Sequence, residues 1–492
     1  MESHNGHPQF VPLAAFRILF ATVGLEHYGA YRMSILGLHV LIAAVFFLYA
    51  RHRVAAPVAG IATSLILVLG RSWEDLLWPF QIGFLGSVAA GLAALIALDR
   101  DDRFGDVVAI AFLVVALSSS GIGVAFLAGV GLELVWARAW RRLWVVLVPG
   151  LAFGVWHVAF GDSQAALGNL PDLPAFVAAA SGGAVGGLFG LDPEWGRHLS
   201  GALVALLVVH IVRRRSLDAR IVMGVGALLT FWVLTGLSRA NLGFPTSSRY
   251  QYPAAVLILI AALGALQHVE IPPRVMIGSV VLVPLVAWSN MGDLRDHAAG
   301  WRDNSRFVAA ELAALEAARP VVDPAFRPDL NRMPQVFAGE YLDAVDELGS
   351  PAPSLGQLRG FSEDALHAAD AVSAHAVGAL PAPAGGSPPR PVSSVTTLFS
   401  GRFAKEGSCR TFSSSGSAIS VAMALEGRIV IDAKDAAVDV RVRRWARNFP
   451  EIPLATVGLG STAQVAARAD LAPDAWHVRL DSGSEFRVCG LR

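Results

Sequence analysis

Two adjacent carboxylates lie in a short polar segment of an otherwise apolar region. Glu74 and Asp75 stand between Trp73 and Trp78 in residues 71–81. A carboxylate beside apolar aromatic surface holds its proton more tightly, which suits it to general acid or base catalysis. The alternative is that the tryptophans belong to an interfacial aromatic belt and the carboxylates only hydrate a loop. The segment therefore predicts a catalytic pair and leaves that alternative open.

A second polar segment, residues 238–252, contains Arg239, Arg249 and Tyr250. Arginine carries a planar fork of donors that matches the oxygens of phosphate. We therefore predict that these three residues bind the phosphate of a lipid-linked substrate. The alternative is that the arginines reach toward lipid headgroups while their stems cover apolar surface.

Further polar residues lie within or between the apolar runs. His39 lies inside one run, and an ionisable residue at membrane depth usually faces the interior of a helix bundle. A packing or hydrogen-bonding role is expected for it, with a proton relay as the alternative.

Four further polar or aromatic residues are expected only to hydrate loops: Asp162, Asp192, Glu194 and Trp195. His4 and His7 could ligate a metal, but no helix or strand is expected to fix their geometry, and solvated residues are the favoured interpretation. We find no phosphate-binding loop or dinucleotide fingerprint, and the need for a divalent metal stays open.

The elements that must position these residues are transmembrane helices. The chain is 54% hydrophobic and 16% charged, against about 25% charged residues in soluble globular proteins. Apolar runs of about 15 to 20 residues match a hydrocarbon core of roughly 30 Å. Ten such runs are predicted to span the membrane, at 31–50, 55–71, 80–98, 105–119, 121–137, 142–160, 197–213, 219–238, 252–268 and 272–290.

Arginine placement predicts the orientation of these spans, because positively charged short loops stay cytoplasmic. Arginines cluster in every second loop, at Arg51 and Arg53, at Arg100 and Arg103, at Arg138, Arg141 and Arg142, and at Arg213–Arg215 with Arg220. The two polar segments and the C-terminal tail are then extracytoplasmic. We predict a multi-pass plasma membrane protein whose partners include membrane lipid. The net charge of zero argues against a nucleic-acid partner.

The remaining regions have distinct compositions. Residues 1–30 are predicted to be an outward segment with an interfacial helix at 10–25, and a start shortened relative to a natural first helix is expected. The transmembrane domain is 31–290, a helical extracytoplasmic segment is 291–376, and a Pro/Gly linker is 377–393. Residues 394–492 alternate in polarity and predict an antiparallel β-sandwich. Strands are expected at 418–425, 428–432, 438–442, 463–467, 476–480 and 486–489.

Both cysteines, Cys409 and Cys489, lie in the predicted sandwich, 80 positions apart. An extracytoplasmic compartment permits a disulfide between them, which would stabilise the domain by roughly 4 kcal/mol in the chain-entropy model. Two unrelated buried thiols are the alternative.

Three motifs together resemble a known family. The run His7 to Leu13 (HPQFVPL), the run Tyr28 to Arg32 (YGAYR) and the pair Leu38-His39 resemble the first outer loop and next helix of multi-pass glycosyltransferases of the GT-C class, including the protein O-mannosyltransferase-like group. The resemblance covers about residues 1–290. The sandwich is similar in position to the carbohydrate-binding tails of some actinobacterial arabinosyltransferases.

The resemblance implies transfer of a sugar from a polyprenyl-phosphate donor to a cell-envelope glycan or protein acceptor at the outer face. An outward carboxylate would act as base and outward arginines would hold the phosphate. Family members carry an acidic pair after a first transmembrane helix, whereas Glu2 is the only acid before His7. Glu2, Glu74 and Asp75 are the catalytic candidates. The alternatives are a non-catalytic envelope scaffold or glycan-binding protein, and a lipid or polymer transporter, so the sequence leaves the enzyme assignment open.

Overall fold

The computed structural model of the protein describes residues 8–491 except 163, 268, 378–381, 384–392, 401–402, 413–416, 424–426, 467 and 469. The chain divides into two compact units. Unit 1 comprises residues 1–23 and 27–299, and unit 2 comprises residues 24–26 and 300–492. Glu2 lies outside the described residues, as does most of the predicted linker.

The apolar runs form helices whose ends coincide with polar or helix-breaking residues. Asp102 and Asp218, for example, each accept a backbone N–H in the first turn of the helix that follows, as N-cap residues do. The helices of the described chain are α1 (Phe10–Val23), α2 (Tyr28–Arg51), α3 (Ala56–Leu67), α4 (Trp73–Leu77), α5 (Ile82–Leu98), α6 (Arg103–Ser119), α7 (Ile122–Trp136), α8 (Trp144–Phe160), α9 (Leu173–Phe189), α10 (Pro193–Arg214), α11 (Ala219–Arg239), α12 (Ser248–Leu266), α13 (Pro273–Ala317), α14 (Ala338–Leu348), α15 (Leu355–Leu358) and α16 (Glu363–Val377).

Many of these helices are long and apolar enough to cross a membrane, as the sequence predicts. Within the described residues there are eight such helical segments: Tyr28–Arg51, Ala56–Leu77, Pro79–Leu98, Trp140–Phe160, Pro193–Arg214, Ala219–Leu242, Ser248–Leu266 and Pro273–Ala317. Two of the ten predicted spans, 105–119 and 121–137, correspond to the shorter helices α6 and α7. The predicted last span, 272–290, is the first part of the single long helix α13. The fold class is thus a polytopic helical membrane domain followed by a region of β-sheet.

The interior of unit 1 is built from large apolar side chains of several helices. Phe46 and Tyr49 of α2, Phe126 of α7 and Tyr252 of α12 are fully buried in one continuous core. By contrast, the helix Pro193–Arg214 is hardly covered by the rest of the protein: only 6% of its 18-residue apolar stretch is buried. An apolar helix with that exposure needs a lipid environment, since water would not solvate it.

Ion pairs join the ends of several helices at the side predicted to be cytoplasmic. Arg53 Nη2 lies 2.8 Å from Asp99 Oδ2, and Arg220 pairs with both Asp99 and Glu133. The Arg53 guanidinium also lies 3.6 Å from the centroid of the Tyr49 ring. Half-buried charges are stable only when paired in this way, so the network fixes how α2, α5, α7 and α11 meet.

Unit 2 contains two antiparallel sheets. Its strands are β1 (Ala382–Pro383), β2 (Ser393–Ser400), β3 (Phe403–Glu406), β4 (Cys409–Phe412), β5 (Ser417–Met423), β6 (Arg428–Ala433), β7 (Val438–Arg443), β8 (Ile452–Val457), β9 (Ser461–Ala466), β10 (Trp476–Ser482) and β11 (Phe486–Cys489). One sheet has the order β1-β9-β6-β11-β4-β3 and the other β2-β5-β10-β7-β8.

The two sheets share one core, which makes this region a β-sandwich. Trp476, Val478 and Leu480 alternate with less buried residues along β10, and they pack in the same cluster as Ile431 of β6 and Phe486 of β11 in the other sheet. This alternation is the period of two expected of a strand with one buried face.

The predicted disulfide is confirmed, since Cys409 and Cys489 are bonded. It joins the paired strands β4 and β11.

Candidate active site

The first predicted catalytic residue, Glu74, lies against the start of a transmembrane helix. It belongs to the short helix α4, and its carboxylate meets the first turn of α12, where Ser248 and Arg249 stand. An anion at a helix N-terminus is stabilised by the helix dipole and by N–H groups that have no partner within the helix.

Five donor groups converge on the Glu74 carboxylate. The Ser248 hydroxyl donates to Oε2 at 2.5 Å and the Ser247 hydroxyl at 3.2 Å. Arg249 donates its backbone N–H to Oε2 at 3.1 Å, its Nε at 3.3 Å, and its Nη2 to Oε1 at 2.7 Å. Glu74 and Arg249 are therefore in direct contact, and a shared catalytic site stays a prediction.

These contacts restrict what Glu74 can do chemically. Its side chain is 9% exposed, and Oε2 already accepts four hydrogen bonds. A general base needs a free lone pair within reach of the proton that it abstracts. The arrangement favours Glu74 as the residue that positions Arg249, and its catalytic role stays a prediction.

Asp75 follows Glu74 in the same short helix and is buried in the protein. It is fully buried, and neither of its oxygens has a hydrogen-bond partner in the described structure. A carboxylate without access to solvent or substrate cannot act as a base in the present arrangement. Its catalytic role is therefore also a prediction without geometric support.

His39 lies in the interior of the helix bundle, at 6% exposure. Its Nδ1 lies 2.8 Å from the Tyr252 hydroxyl and its Nε2 lies 3.4 Å from the Leu67 carbonyl oxygen. Because a carbonyl only accepts, Nε2 carries the proton and Nδ1 accepts from Tyr252. The contacts are those of a hydrogen-bonding residue that links α2, α3 and α12.

The three predicted phosphate ligands line one cavity. Arg239, Arg249 and Tyr250 lie on the wall of a cavity of about 350 Å³ in unit 1. Arg239 Nη2 donates to Gln164 Oε1 at 3.2 Å, and Arg239 forms no salt bridge with any carboxylate in the described chain. Arg249 is 39% exposed and keeps part of its guanidinium available despite Glu74. Two guanidinium groups on one cavity wall favour an anionic ligand.

Other residues of the cavity were missed or given little weight from the sequence alone. Asp162 is an exposed carboxylate on the cavity wall, although the sequence suggested loop hydration for it. Gln164 and His157 also line the cavity, and His157 Nδ1 is buried without a hydrogen-bond partner. Their position on the same cavity as Arg239 depends on tertiary packing, which no local pattern in the sequence reveals.

The apolar side of the cavity is aromatic, with Phe80, Phe84, Phe153 and Phe231 among its residues. A cavity that joins guanidinium groups to apolar surface suits an amphiphile with an anionic head. Among the described residues, no group of three His, Cys, Asp or Glu side chains is placed to hold a metal ion.

No family model matches the chain, and no curated protein sequence matches it. A solved structure that is similar is arabinosyltransferase EmbB from Mycobacterium smegmatis, determined by single-particle cryo-EM. The sequence identity is 14% and the TM-score 0.27, and the match covers 93% of this chain and 56% of the EmbB chain. The present chain thus spans little more than half the length of EmbB.

Proposed function

We propose that the protein is a membrane glycosyltransferase that takes a sugar from a polyprenyl-phosphate donor and transfers it to a cell-envelope acceptor. The observation that supports this most strongly is the cavity in which Arg239 and Arg249 stand beside Tyr250 and an aromatic wall. The arginines would bind the donor phosphate. The aromatic wall would contact the first isoprene units, since apolar surface gains free energy on leaving water.

The chemistry that this arrangement allows is displacement at the anomeric carbon. An acceptor hydroxyl forms a bond to that carbon while the carbon–oxygen bond to the phosphate breaks, and the phosphate leaves with the electron pair. The two guanidinium groups stabilise the negative charge that develops on the leaving phosphate. The acceptor proton passes to a carboxylate, and we propose Asp162 for this role because it is the carboxylate among the cavity-lining residues.

Glu74 has a positioning role in this proposal. By accepting three hydrogen bonds from Arg249, it holds the guanidinium at the cavity and limits its rotamer freedom. Preorganised donors stabilise developing charge without reorganising during the reaction.

The proposed site lies on the extracytoplasmic face of the plasma membrane. Arginine clusters in alternate loops support this orientation through the positive-inside rule. The Cys409–Cys489 disulfide supports it independently, because disulfides persist in oxidising compartments.

Binding of the phosphate is tested with farnesyl phosphate as the probe and farnesol as the uncharged control. The purified full chain is expected to bind farnesyl phosphate at least about tenfold more tightly than farnesol, because charge-assisted hydrogen bonds are strong. Arg239→Gln should remove most of that difference. Arg103→Gln is the matched control, since Arg103 is exposed and does not line the cavity. Equal binding of the two probes by the wild-type protein would contradict the proposal.

Sugar transfer is tested in cells in which the gene for this protein has been deleted. These cells should accumulate a polyprenyl-phosphate-linked sugar, and the wild-type chain should clear it. Asp162→Asn should fail to clear it while its farnesyl phosphate binding persists. Asp172→Asn, at an exposed aspartate outside the cavity, should behave as wild type. Clearance by Asp162→Asn would remove Asp162 from the mechanism.

A further inference from the structure

Neutral polar side chains also line the cavity of unit 1 that contains Arg239 and Arg249. They are Gln9, Gln81 and Ser120, and none of them belongs to the groups proposed above to bind the phosphate or to accept the proton. Gln9 directly precedes α1, Gln81 directly precedes α5 and Ser120 directly follows α6. We call these three residues the neutral cluster.

A close contact between α1, α5 and α6 brings the neutral cluster together. A Cβ atom on Gly83 would lie 2.7 Å from the Ser119 carbonyl oxygen and 3.0 Å from Pro12 Cγ, so only glycine allows this approach. The Ser87 hydroxyl donates to the Ala116 carbonyl oxygen at 3.0 Å and fixes α5 against α6. Each residue of the neutral cluster is one to three positions from this contact along the chain, so all three lie on the same part of the cavity wall.

Gln81 is the most buried residue of the neutral cluster. Only 3% of it is exposed, yet its carboxamide makes no hydrogen bond in the part of the chain that the structure describes. Buried polar groups nearly always have a partner, and a carboxamide has two donor hydrogens and an acceptor oxygen to satisfy. Unlike Asp75, whose oxygens are enclosed by protein, Gln81 borders the open cavity, so a ligand can reach its amide group.

The other two residues add further donors and acceptors. Gln9 is half-buried, and its carboxamide also lacks a partner among the described residues. Ser120 Oγ accepts the N–H of Ile122 at 3.3 Å, which leaves its O–H group to donate. The neutral cluster therefore offers donors and acceptors without a charge, the pattern that matches the hydroxyl groups of a sugar.

The size and charge of the cavity restrict which sugar fits. Its volume of about 350 Å³ is near the lower end of the range of small-molecule sites, roughly 300–1,000 Å³. That space suits a phosphate with one sugar ring rather than several rings. A carboxylate or ammonium group on the ring would lie against neutral amides that cannot compensate its charge.

We infer that the neutral cluster binds the sugar ring of the donor and that this sugar is an uncharged monosaccharide. The inference rests on the proposed function and adds the class of sugar and the residues that select it. The Gln9 and Gln81 carboxamides exchange hydrogen bonds with the ring hydroxyls, and Ser120 donates to one of them. A sugar that lacks a matching hydroxyl leaves a buried carboxamide unpaired, and sites of this kind discriminate strongly against such analogues.

Binding of sugar-bearing probes to the purified full chain tests this inference. Farnesyl phosphate is the reference, and the probes are farnesyl phosphoryl mannose, galactose, arabinose and glucuronate. At least one of the three uncharged sugars should increase the affinity about tenfold over farnesyl phosphate, because two or more neutral hydrogen bonds are gained. The glucuronate probe should bind about tenfold less tightly than the best uncharged probe.

Two results would overturn the inference: no uncharged sugar adds affinity, or glucuronate binds as tightly as the best of them. Failure of the proposed function gives a different result, since farnesyl phosphate itself would then bind no better than farnesol.

Variants separate recognition of the sugar from recognition of the phosphate. Gln81→Ala should weaken the best sugar probe about tenfold and leave farnesyl phosphate binding unchanged, because only the hydrogen bonds to the ring are lost. Gln267→Ala is the matched control, at a half-buried glutamine of unit 1 that does not line the cavity, and should change neither affinity. Farnesyl phosphate binding by the Gln81 variant also shows that its cavity is folded.

Gln9→Ala provides a second test at a less buried position. It should weaken the sugar probe about threefold, the loss expected for one neutral hydrogen bond, without affecting farnesyl phosphate. If the Gln81 variant loses both affinities, the Gln9 variant decides. Loss of both affinities in both variants, or loss of neither, would contradict the assignment of the neutral cluster to the sugar.

Discussion

The contact between Glu74 and Arg249 provides a quantitative test of the positioning role. A double-mutant cycle compares the wild-type protein with three variants: Glu74→Gln, Arg249→Gln and the double variant. Glu74 is 9% and Arg249 39% exposed, so the pair is less screened than a surface pair. Exposed ion pairs contribute about 0.2–1 kcal/mol, whereas a hydrogen bond to a charged group contributes about 1.5–3 kcal/mol. With two guanidinium N–H groups on the carboxylate, we expect a coupling free energy of about 2 kcal/mol.

The assay is reversible unfolding of the purified full chain in mixed micelles, followed by circular dichroism. Each single variant should lower the free energy of unfolding, and the double variant should lose less than the sum of the two, because each single change leaves a partner uncompensated. Glu194→Gln, at an exposed residue of the same unit, controls for the loss of a carboxylate. A coupling free energy of about 1 kcal/mol or less, the range of exposed pairs, would refute the claim that Glu74 fixes Arg249.

Three further predictions concern stability. Cys409→Ser should lower the stability of unit 2 by roughly 4 kcal/mol, because the bond to Cys489 closes an 80-residue separation, and thermal unfolding with and without reductant measures it. Asn290→Ala should cost about 2 kcal/mol in chemical unfolding, since the Arg71 N–H loses its side-chain acceptor. The lowered pKa of His477 should make stability fall as the pH drops below about 6.5, its unfolded value, and His477→Asn should flatten that dependence. An unchanged pH profile in His477→Asn would contradict this last assignment.

The sequence predicted most of the elements that have a strong local pattern. The ten predicted spans correspond to helices of unit 1, and the six predicted strands correspond to β5, β6, β7, β9, β10 and β11. Five strands of the described chain, β1, β2, β3, β4 and β8, were missed. β3 and β4 have four residues each, and β8 includes Pro453, a residue that argues against a strand because it lacks an N–H.

The roles predicted for the site residues stay predictions, but their positions can be compared with the structure. Glu74, Arg239, Arg249 and Tyr250 were chosen by residue type, and the structure places Glu74 on Arg249 and the other three on one cavity. The role of Glu74 was not predictable, because its hydrogen bonds depend on where α12 begins relative to α4. The position of Asp162 on the cavity wall was not predictable for the same reason, since it follows from tertiary packing.

The central claim is that Arg239 and Arg249 together hold the phosphate of a polyprenyl-phosphate donor. A cryo-EM structure of the full chain in lipid nanodiscs with a bound polyprenyl phosphate tests it most directly. We predict that the phosphate lies about 3 Å from both guanidinium groups, the distance of charge-assisted hydrogen bonds, with the isoprene chain against the aromatic wall that includes Phe80 and Phe231. A phosphate bound elsewhere, with the cavity empty, would contradict the account.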